Sequence, residues 1–499
     1  MIAPSRRIDE LLEIGADDAE AIHDFDGQRY SYRNLRTLVE KATTLFQTKG
    51  VRGGERVVVV SENSIEFAVY FFALCRLNAW AVLVNARQSA TEIDAVIAHS
   101  DAAMVLFTNR VSAEARAHAD RLSAHEIGDF GTGPILGTNR RDTPPEPVVD
   151  GPDQVAVLLY TTGTTSAPKG VMLSHGNLSF NGMNSGHWNR LQADDYVMAV
   201  LPGTHIYCLG SVFLPAIAAG ATTRFMARFV VDDVLEALND GITRFPAVPQ
   251  MYAQILERLD ATGKGVSRMK LRNLATGGAP LDPDLKRQVE ERFGLQLNNG
   301  YGITETSPTI ASTHNDVPRS DLSCGTPLPG IEVTIHDADA DGIGEIYVTG
   351  PNVMMGYYRD PERSAEALPK PGTFRTGDLG RIAEDGSLYI LGRSKELIIR
   401  SGFNIYPPEI EAMLTRHEDV YQAAVIGRQV KGNEEVLAFV KTTGRVTEAA
   451  LKDWLRERLV GYKIPQHIFL VDEYPAAATG KILKFKLQSH FADLIAARD

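Results

Sequence analysis

The sequence predicts a two-domain α/β protein: a large N-terminal domain of layered α/β sheets carrying a β-rich subdomain, followed by a small α+β C-terminal domain. Three features carry that prediction. Up to about residue 390, helical stretches alternate with short apolar runs of the kind that form buried strands. Between Glu332 and Leu391 the texture shifts to strand-like runs separated by Asp/Gly turns. After Arg393 a self-contained α/β pattern begins again.

In chain order, "RVVVVS" precedes "IEFAVYFFALCRL", and "YVMAVLP" precedes "LGSVFLPAIAAG". Short apolar runs between helical stretches imply largely buried strands in layered α/β structure. The β-rich subdomain, about residues 325–391, rests on "IEVTIHD", "GEIYVTG" and "GSLYILGR", punctuated by "DADADG" and "EDG". In the C-terminal part Pro407 and Pro408 open a helix with Ile410, Met413 and Leu414 on one face. "LKDWLRERL" sets Leu451, Trp454, Leu455 and Leu459 on another, and "YQAAVIG" and "EVLAFVKT" read as strands between them. The expected division is residues 1–393 and 394–499, with no internal repeat or low-complexity tract.

A chain of 499 residues, 44% hydrophobic, exceeds what one core organises. Its net charge of −12, with Lys and Arg dispersed, argues against a nucleic-acid or anionic-membrane surface, so an anionic ligand has to be met locally. Cys75, Cys208 and Cys324 are far apart and in no metal-binding spacing, which suits a reducing compartment. The start "MIAPSRRIDELLEIG" is too charged for a signal peptide. The run "IYCLGSVFLPAIAAGATT" carries Gly, Pro and Thr and reads as a buried helix with its flanks rather than a membrane span. A cytoplasmic protein without a membrane span, a monomer or homodimer, is expected.

The stretch "YTTGTTSAPKG", residues 160–170, holds four threonines, a serine, two glycines and one lysine directly after the apolar "VAVLL". A small-residue turn after a buried strand leaves backbone N–H groups open to phosphate oxygens, with hydroxyls and a lysine adding donors and charge. The Walker A spacing is absent, and no GxGxxG follows the first strand. Alone, such a loop is more often a solvated Ser/Thr turn.

Four further segments follow in order: "NGYGITET" (299–306 with its flanking Asn), "FRTGDLG" (374–380), "GRSKELIIRSGFNIYPPEIE" (392–411) and "YPAAATGKILK" (474–484). With the Thr-rich loop they resemble the core motifs of the adenylate-forming superfamily, which contains acyl- and aryl-CoA synthetases, that is, AMP-dependent synthetases and ligases. The resemblance covers nearly the whole chain, and five motifs in fixed order are specific where any one is weak. It implies an ATP-dependent acid:CoA ligase. Such an enzyme activates a carboxylate as an acyl-adenylate, releases pyrophosphate and transfers the acyl group to the thiol of coenzyme A.

The resemblance assigns roles residue by residue. Thr161, Thr162, Gly163, Thr164, Thr165 and Lys169 wrap the β- and γ-phosphates of ATP. Asn299, Tyr301 and Gly302 belong to the nucleotide site, with Tyr301 packing against adenine; Thr304 donates to the α-phosphate and Glu305 holds Mg²⁺, a hard cation suited to carboxylate oxygen. Gly278, Ala279 and Pro280 lie along the nucleotide and acyl pocket. Asp378 accepts from the ribose hydroxyls and Arg393 reaches the ribose or a phosphate. Lys481 stabilises charge on the departing pyrophosphate. A hinge at Lys395 makes the small domain mobile, and Ser401 and Gly402 then border the pantetheine path. His205 matches a position that closes the pocket near the carboxylate, though a lone His is equally a structural one. Arg428 and Lys431 are weak candidates for the nucleotide end of coenzyme A. Thr162 and Ser166 depart from the family's commoner Ser and Gly; the first keeps its hydroxyl, the second adds a Cβ.

"IYCLGSVFL", "TGGAP" and "SPTIAS", expected around the acyl tail, carry no charged side chain. A charged tail would need a buried partner, so an uncharged one, aromatic or medium-chain aliphatic, is expected. The rival readings are a free-standing adenylation enzyme loading a carrier protein and a catalytically silent nucleotide-binding module.

Overall fold

The computed structural model describes residues 6–161, 169–263, 265–266, 270–401, 403–430, 433–476 and 482–498. The chain divides into two compact units. The first comprises Met1–Thr334, Tyr347–Arg375 and Gly386–Leu388, and the second Ile335–Ile346, Thr376–Asp385 and Tyr389–Asp499. The junction segment 393–395 lies inside the second unit.

Two large sheets build the first unit. One runs, in spatial order, Thr326–Pro327, Thr309–Ser312, Leu297–Gly302, Asn273–Thr276, Arg244–Ala247, Tyr196–Ala199, Thr222–Phe225, Glu20–His23, Arg29–Ser31. From Leu297–Gly302 through to Glu20–His23 its pairings are parallel. The other runs Gly356–Tyr357, Lys169–Ser174, Val155–Thr161, Trp80–Asn85, Arg56–Ser61, Met104–Phe107, Ile135–Gly137, His125–Gly128. Arg56–Ser61 is buried along its whole length, as an unbroken apolar run in a central parallel strand requires.

Helix Ile65–Arg76 shows why that run was legible. Ser64 caps it by accepting from the Phe67 amide, and every residue from Ile65 to Cys75 is buried. A helix apolar on all sides has to be covered on all sides. Phe67 meets Phe225, at the end of a strand of the first sheet, at a centroid distance of 6.3 Å. The Tyr70 hydroxyl donates to the Phe107 carbonyl, at the end of a strand of the second sheet, at 3.4 Å. The helix therefore lies between the two sheets.

The segment read as one buried helix is three pieces: Ile206–Cys208, a π-helical turn Leu209–Phe213, and Leu214–Ala218. Periodicity does not reveal a single wide turn.

A four-stranded sheet, Glu332–His336, Gly344–Thr349, Thr373–Ile382, Leu388–Arg393 in that order, contributes residues to both units. In the second unit Val420–Val430, Asn433–Thr442 and His467–Leu470 form a three-stranded sheet. Helices Pro407–Thr415 and Glu448–Arg456 bury Ile410, Leu414, Leu451 and Leu455 in one core with Val425, Val436 and Ala438. Leu459 falls past the helix end and still packs against that core. Among the described residues no helix is long and apolar enough to cross a membrane. All three cysteines are buried thiols.

Buried His175 opens helix His175–Trp188. Its Nδ1 accepts from the Ile8 amide at 3.2 Å, and its Nε2 is buried without a partner among the described residues. Burial, helped by Arg7, depresses its pKa from 6.5 to about 3. Between those values the unfolded chain binds a proton that the native state refuses, so stability is full above pH 6.5 and falls as pH drops toward 3. The slope from this group is at most ~1.4 kcal/mol per pH unit. In thermal denaturation from pH 8 to 5, His175→Asn should show a flatter decline on the acid side than the wild type; parallel curves would contradict the assignment.

Candidate functional site

Parallel strands place all their carboxyl ends on one edge, and the chain leaves that edge in loops where ligands are met. Here the strands Tyr196–Ala199, Asn273–Thr276 and Leu297–Gly302 lead respectively to His205, to residues 277–280 and to the 3₁₀ turn Thr304–Thr306. Three of the motif segments are thus gathered by topology.

Glu305 sits in that turn. Its backbone carbonyl accepts from the Met354 amide at 2.9 Å, and its Oε1 accepts from the Tyr357 hydroxyl at 2.9 Å. Among the described residues no donor reaches Oε2. The turn is braced from below: Thr306 Oγ1 donates to the Pro308 carbonyl at 2.6 Å, Asn352 Nδ2 to the Thr306 carbonyl at 3.0 Å, and Ser307 Oγ to the Asn352 carbonyl at 2.9 Å.

Lys169 approaches from the other sheet. Thr161 and Lys169 are cross-strand partners where the strands Val155–Thr161 and Lys169–Ser174 meet. The edge strand Gly356–Tyr357 pairs antiparallel with the second of these, Tyr357 opposite Val171. That register puts the Lys169 ammonium over the Tyr357 ring, 5.3 Å from its centroid. Tyr357 therefore touches both charged candidates of the phosphate site. Burial, then the Glu305 carboxylate, raise its pKa, so it stays a neutral donor.

On the acyl side, His205 caps Ile206–Cys208, its Nδ1 accepting from the Tyr207 amide at 3.2 Å, and its ring is exposed. The Tyr207 ring lies along the backbone of Gly277 and Gly278: a Cβ on either would stand 3.7 Å from it. Gly278 also has φ +78°, a conformation that favours glycine. The π-helical turn reaches the Glu305 segment closely enough that a Cβ on Gly210 would sit 2.4 Å from the Ser307 carbonyl oxygen. Asn181 ties the two by donating to the Gly210 carbonyl at 2.7 Å and accepting from the Thr309 amide at 3.0 Å. Tyr301 is buried in its strand, beside Gly302. The Asn299 amide is engaged with the carbonyls of Leu322 and Ser323, both at 3.2 Å.

In the second unit, Asp378 lies within strand Thr373–Ile382 with its side chain 8% exposed, and Arg393 Nε stands 3.4 Å from its Oδ1. Arg393 immediately precedes the 3₁₀ turn Ser394–Glu396, in which Lys395 is exposed. Ser401, at φ +52°, donates its amide to Asn433 Oδ1 at 2.7 Å. Arg428 pairs with Glu435 at 2.5 Å. Lys484 joins the segment after Lys481 to its own unit, 3.1 Å from Glu396 and 2.8 Å from Glu411. Thr162, Gly163, Thr164, Thr165, Ser166, Gly402, Lys431 and Lys481 lie outside the described residues.

Sequence reasoning missed Tyr357 and Asn181, and named Tyr207 only as part of the run expected around the acyl tail. Each is a common core or helix residue by type, and only register reveals what it touches.

The sequence profile of the AMP-binding enzyme family matches residues 15–358, and that of the AMP-binding enzyme C-terminal domain matches residues 409–481. A feruloyl-CoA synthase of Amycolatopsis sp. is 33% identical over 475 residues, covering 93% of this chain and 94% of the relative. An indoleacetate–CoA ligase of Aromatoleum aromaticum is 34% identical over 478 residues, covering 92% and 93%. The crystal structure of ATP-bound MatB from Rhodopseudomonas palustris superposes with a TM-score of 0.84 at 29% identity, over 98% of this chain and 100% of that one. The chain belongs to the adenylate-forming AMP-binding enzyme family, among its acyl- and aryl-CoA synthetases.

Proposed function

We propose that the protein is an AMP-forming acid:CoA ligase whose substrate is an aromatic acid with an uncharged tail. One observation carries the reading: within a single unit, the mouth of the Thr-rich hairpin and the Glu305 turn converge on Tyr357 at the carboxyl edge of a parallel sheet.

The reaction needs no protein nucleophile, because the substrate carboxylate attacks the α-phosphorus itself. The protein has to hold two anions in line and meet the charge on departing pyrophosphate. Lys169 and the hydroxyls of 161–165 serve the outer phosphates, and Thr304 the α-phosphate. Glu305 has one carboxylate oxygen without a donor among the described residues, a hard ligand fit for magnesium. Among those residues no group of three or more His, Cys, Asp or Glu gathers to hold a metal. That pattern suits magnesium, which shares a carboxylate with substrate phosphates and water rather than a protein cage. Bound there, it would neutralise phosphate charge. Asp378 and Arg393 serve the ribose, Lys481 the pyrophosphate, and the exposed turn at Lys395 is the pivot between half-reactions. Ser401 and Gly402 border the thiol's path.

For the acid, residues 205–213, 277–280 and 307–312 contain no Asp, Glu, Lys or Arg. The Tyr207 ring offers an aromatic face beside the glycine backbone. The named relatives act on feruloyl and indoleacetate groups, in keeping with an aromatic substrate. The test is a panel of aromatic, aliphatic and dicarboxylic acids assayed for ATP–pyrophosphate exchange and for thioester formation with and without CoA. Aromatic monocarboxylates should lead both readouts. Exchange without thioester would favour a carrier-protein acceptor, and no exchange with any acid would overturn the ligase reading.

A further inference from the structure

We propose that Tyr357 is a positioning residue for the phosphate and metal site: its hydroxyl fixes one oxygen of Glu305 so that the other faces the metal, and its ring keeps Lys169 apart from that carboxylate. The inference rests on the ligase reading.

A buried phenol needs an acceptor, and many neutral carbonyls could serve. Tyr357, 6% exposed, instead donates to the carboxylate that carries the site's metal role, at 2.9 Å. A neutral donor has a specific advantage there. Arginine or lysine in its place would orient Glu305 and also cancel its charge, whereas the phenol orients it and leaves the full negative charge for a divalent cation. Glu305 is held at two points, its side-chain Oε1 by Tyr357 and its backbone carbonyl by Met354, three residues earlier on the same segment.

The ring does the second task. Lys169 and Glu305 share Tyr357 as a neighbour, yet among the described residues Lys169 forms no ion pair. Its ammonium rests over the aromatic face, a cation–π contact that holds the charge without neutralising it. Without the ring, the cation and the carboxylate are free to pair, which would remove both from the phosphates. The backbone around Tyr357 is tightly fixed: its amide donates to Ser364 Oγ at 2.8 Å, and the next amide, of Tyr358, to the Gly170 carbonyl at 2.7 Å. The backbone that carries the ring is therefore fixed where the side chain reaches both groups.

Two variants separate the tasks. Tyr357→Phe keeps the ring and removes the hydroxyl; Tyr357→Leu removes both. Mn²⁺ binding to the protein with ATP and no acid, followed by electron paramagnetic resonance, should weaken ~10-fold in Tyr357→Phe. The Mg²⁺ concentration for half-maximal ATP–pyrophosphate exchange should rise by a similar factor. Tyr357→Leu should add a ~5-fold loss of ATP affinity at saturating metal. Unchanged Mn²⁺ affinity in Tyr357→Phe, or a lowered melting temperature with unchanged metal dependence, overturns the proposal. The Mn²⁺ titration judges Tyr357 even where the wild type shows no acid-dependent exchange, an outcome that overturns the ligase reading alone.

Discussion

Lys481→Ala should lower acid-dependent ATP–pyrophosphate exchange by ~10²- to 10³-fold and leave thioester formation from supplied acyl-adenylate within ~3-fold of wild type. The asymmetry follows from where charge develops. In the first half-reaction pyrophosphate leaves with its bonding electrons, and a protein of net charge −12 has to bring a cation to it. In the second half-reaction the leaving group is AMP and the pyrophosphate is gone, so the same ammonium has nothing to stabilise. The substitution also spares the anchors of its segment. Ala476 and Ile482 bridge antiparallel, and the Leu483 amide donates to the Pro475 carbonyl at 2.8 Å. The Tyr474 hydroxyl donates to the Phe439 carbonyl at 2.8 Å. Lys484 keeps its pairs with Glu396 and Glu411. The melting temperature should therefore match the wild type. Equal loss of both half-reactions would remove Lys481 from the role.

Which parts of this molecule were legible in the sequence depends on how local the signal is. Arg56–Ser61 and Ile65–Arg76 announce themselves because burial forces a predominantly apolar composition, broken only at Arg56, Ser61, Glu66 and Arg76, and composition is visible residue by residue. Motif order singled out Glu305, Asp378 and Arg393 as candidates, and the structure sets Glu305 in a turn at a strand end and Asp378 beside Arg393. Asp378 reads in sequence as a turn residue after Gly377, yet it lies inside a ten-residue strand. A glycine at φ +71° within the ladder is what permits a turn-like sequence there. The π-helical turn at Leu209–Phe213 was invisible because one wide turn leaves the amphipathic pattern unchanged over so short a span. Tyr357 was invisible for a different reason. In "MMGYYRD" it is one of two adjacent tyrosines. Tyr358 packs on Trp80 and donates to Glu146, while Tyr357 faces Glu305 and Lys169. Strand alternation sends neighbours to opposite faces, and only the pairing with Lys169–Ser174 decides which of them meets the candidate phosphate site.

Glu305→Gln should cost ~10²- to 10³-fold in kcat/KM for ATP, at an unchanged melting temperature. The amide has the shape of the carboxylate, so the Tyr357 hydroxyl still finds an acceptor oxygen, and the Met354 amide bonds the backbone carbonyl regardless of side chain. The bracing by Thr306, Ser307 and Asn352 does not involve the side chain at all. What is lost is one negative charge at the oxygen that no donor occupies among the described residues, and with it the hard ligand a divalent cation prefers. Raising Mg²⁺ should recover Tyr357→Phe, whose carboxylate persists though poorly held, and should recover Glu305→Gln far less. The double variant decides how the two residues are related. If Tyr357 acts on the metal through Glu305, adding Tyr357→Phe to Glu305→Gln costs little more in Mg²⁺ dependence, because the group it positions is already gone. Additive losses would mean the hydroxyl reaches the phosphates independently. A large fall in melting temperature for Glu305→Gln would reassign the carboxylate to holding its own turn.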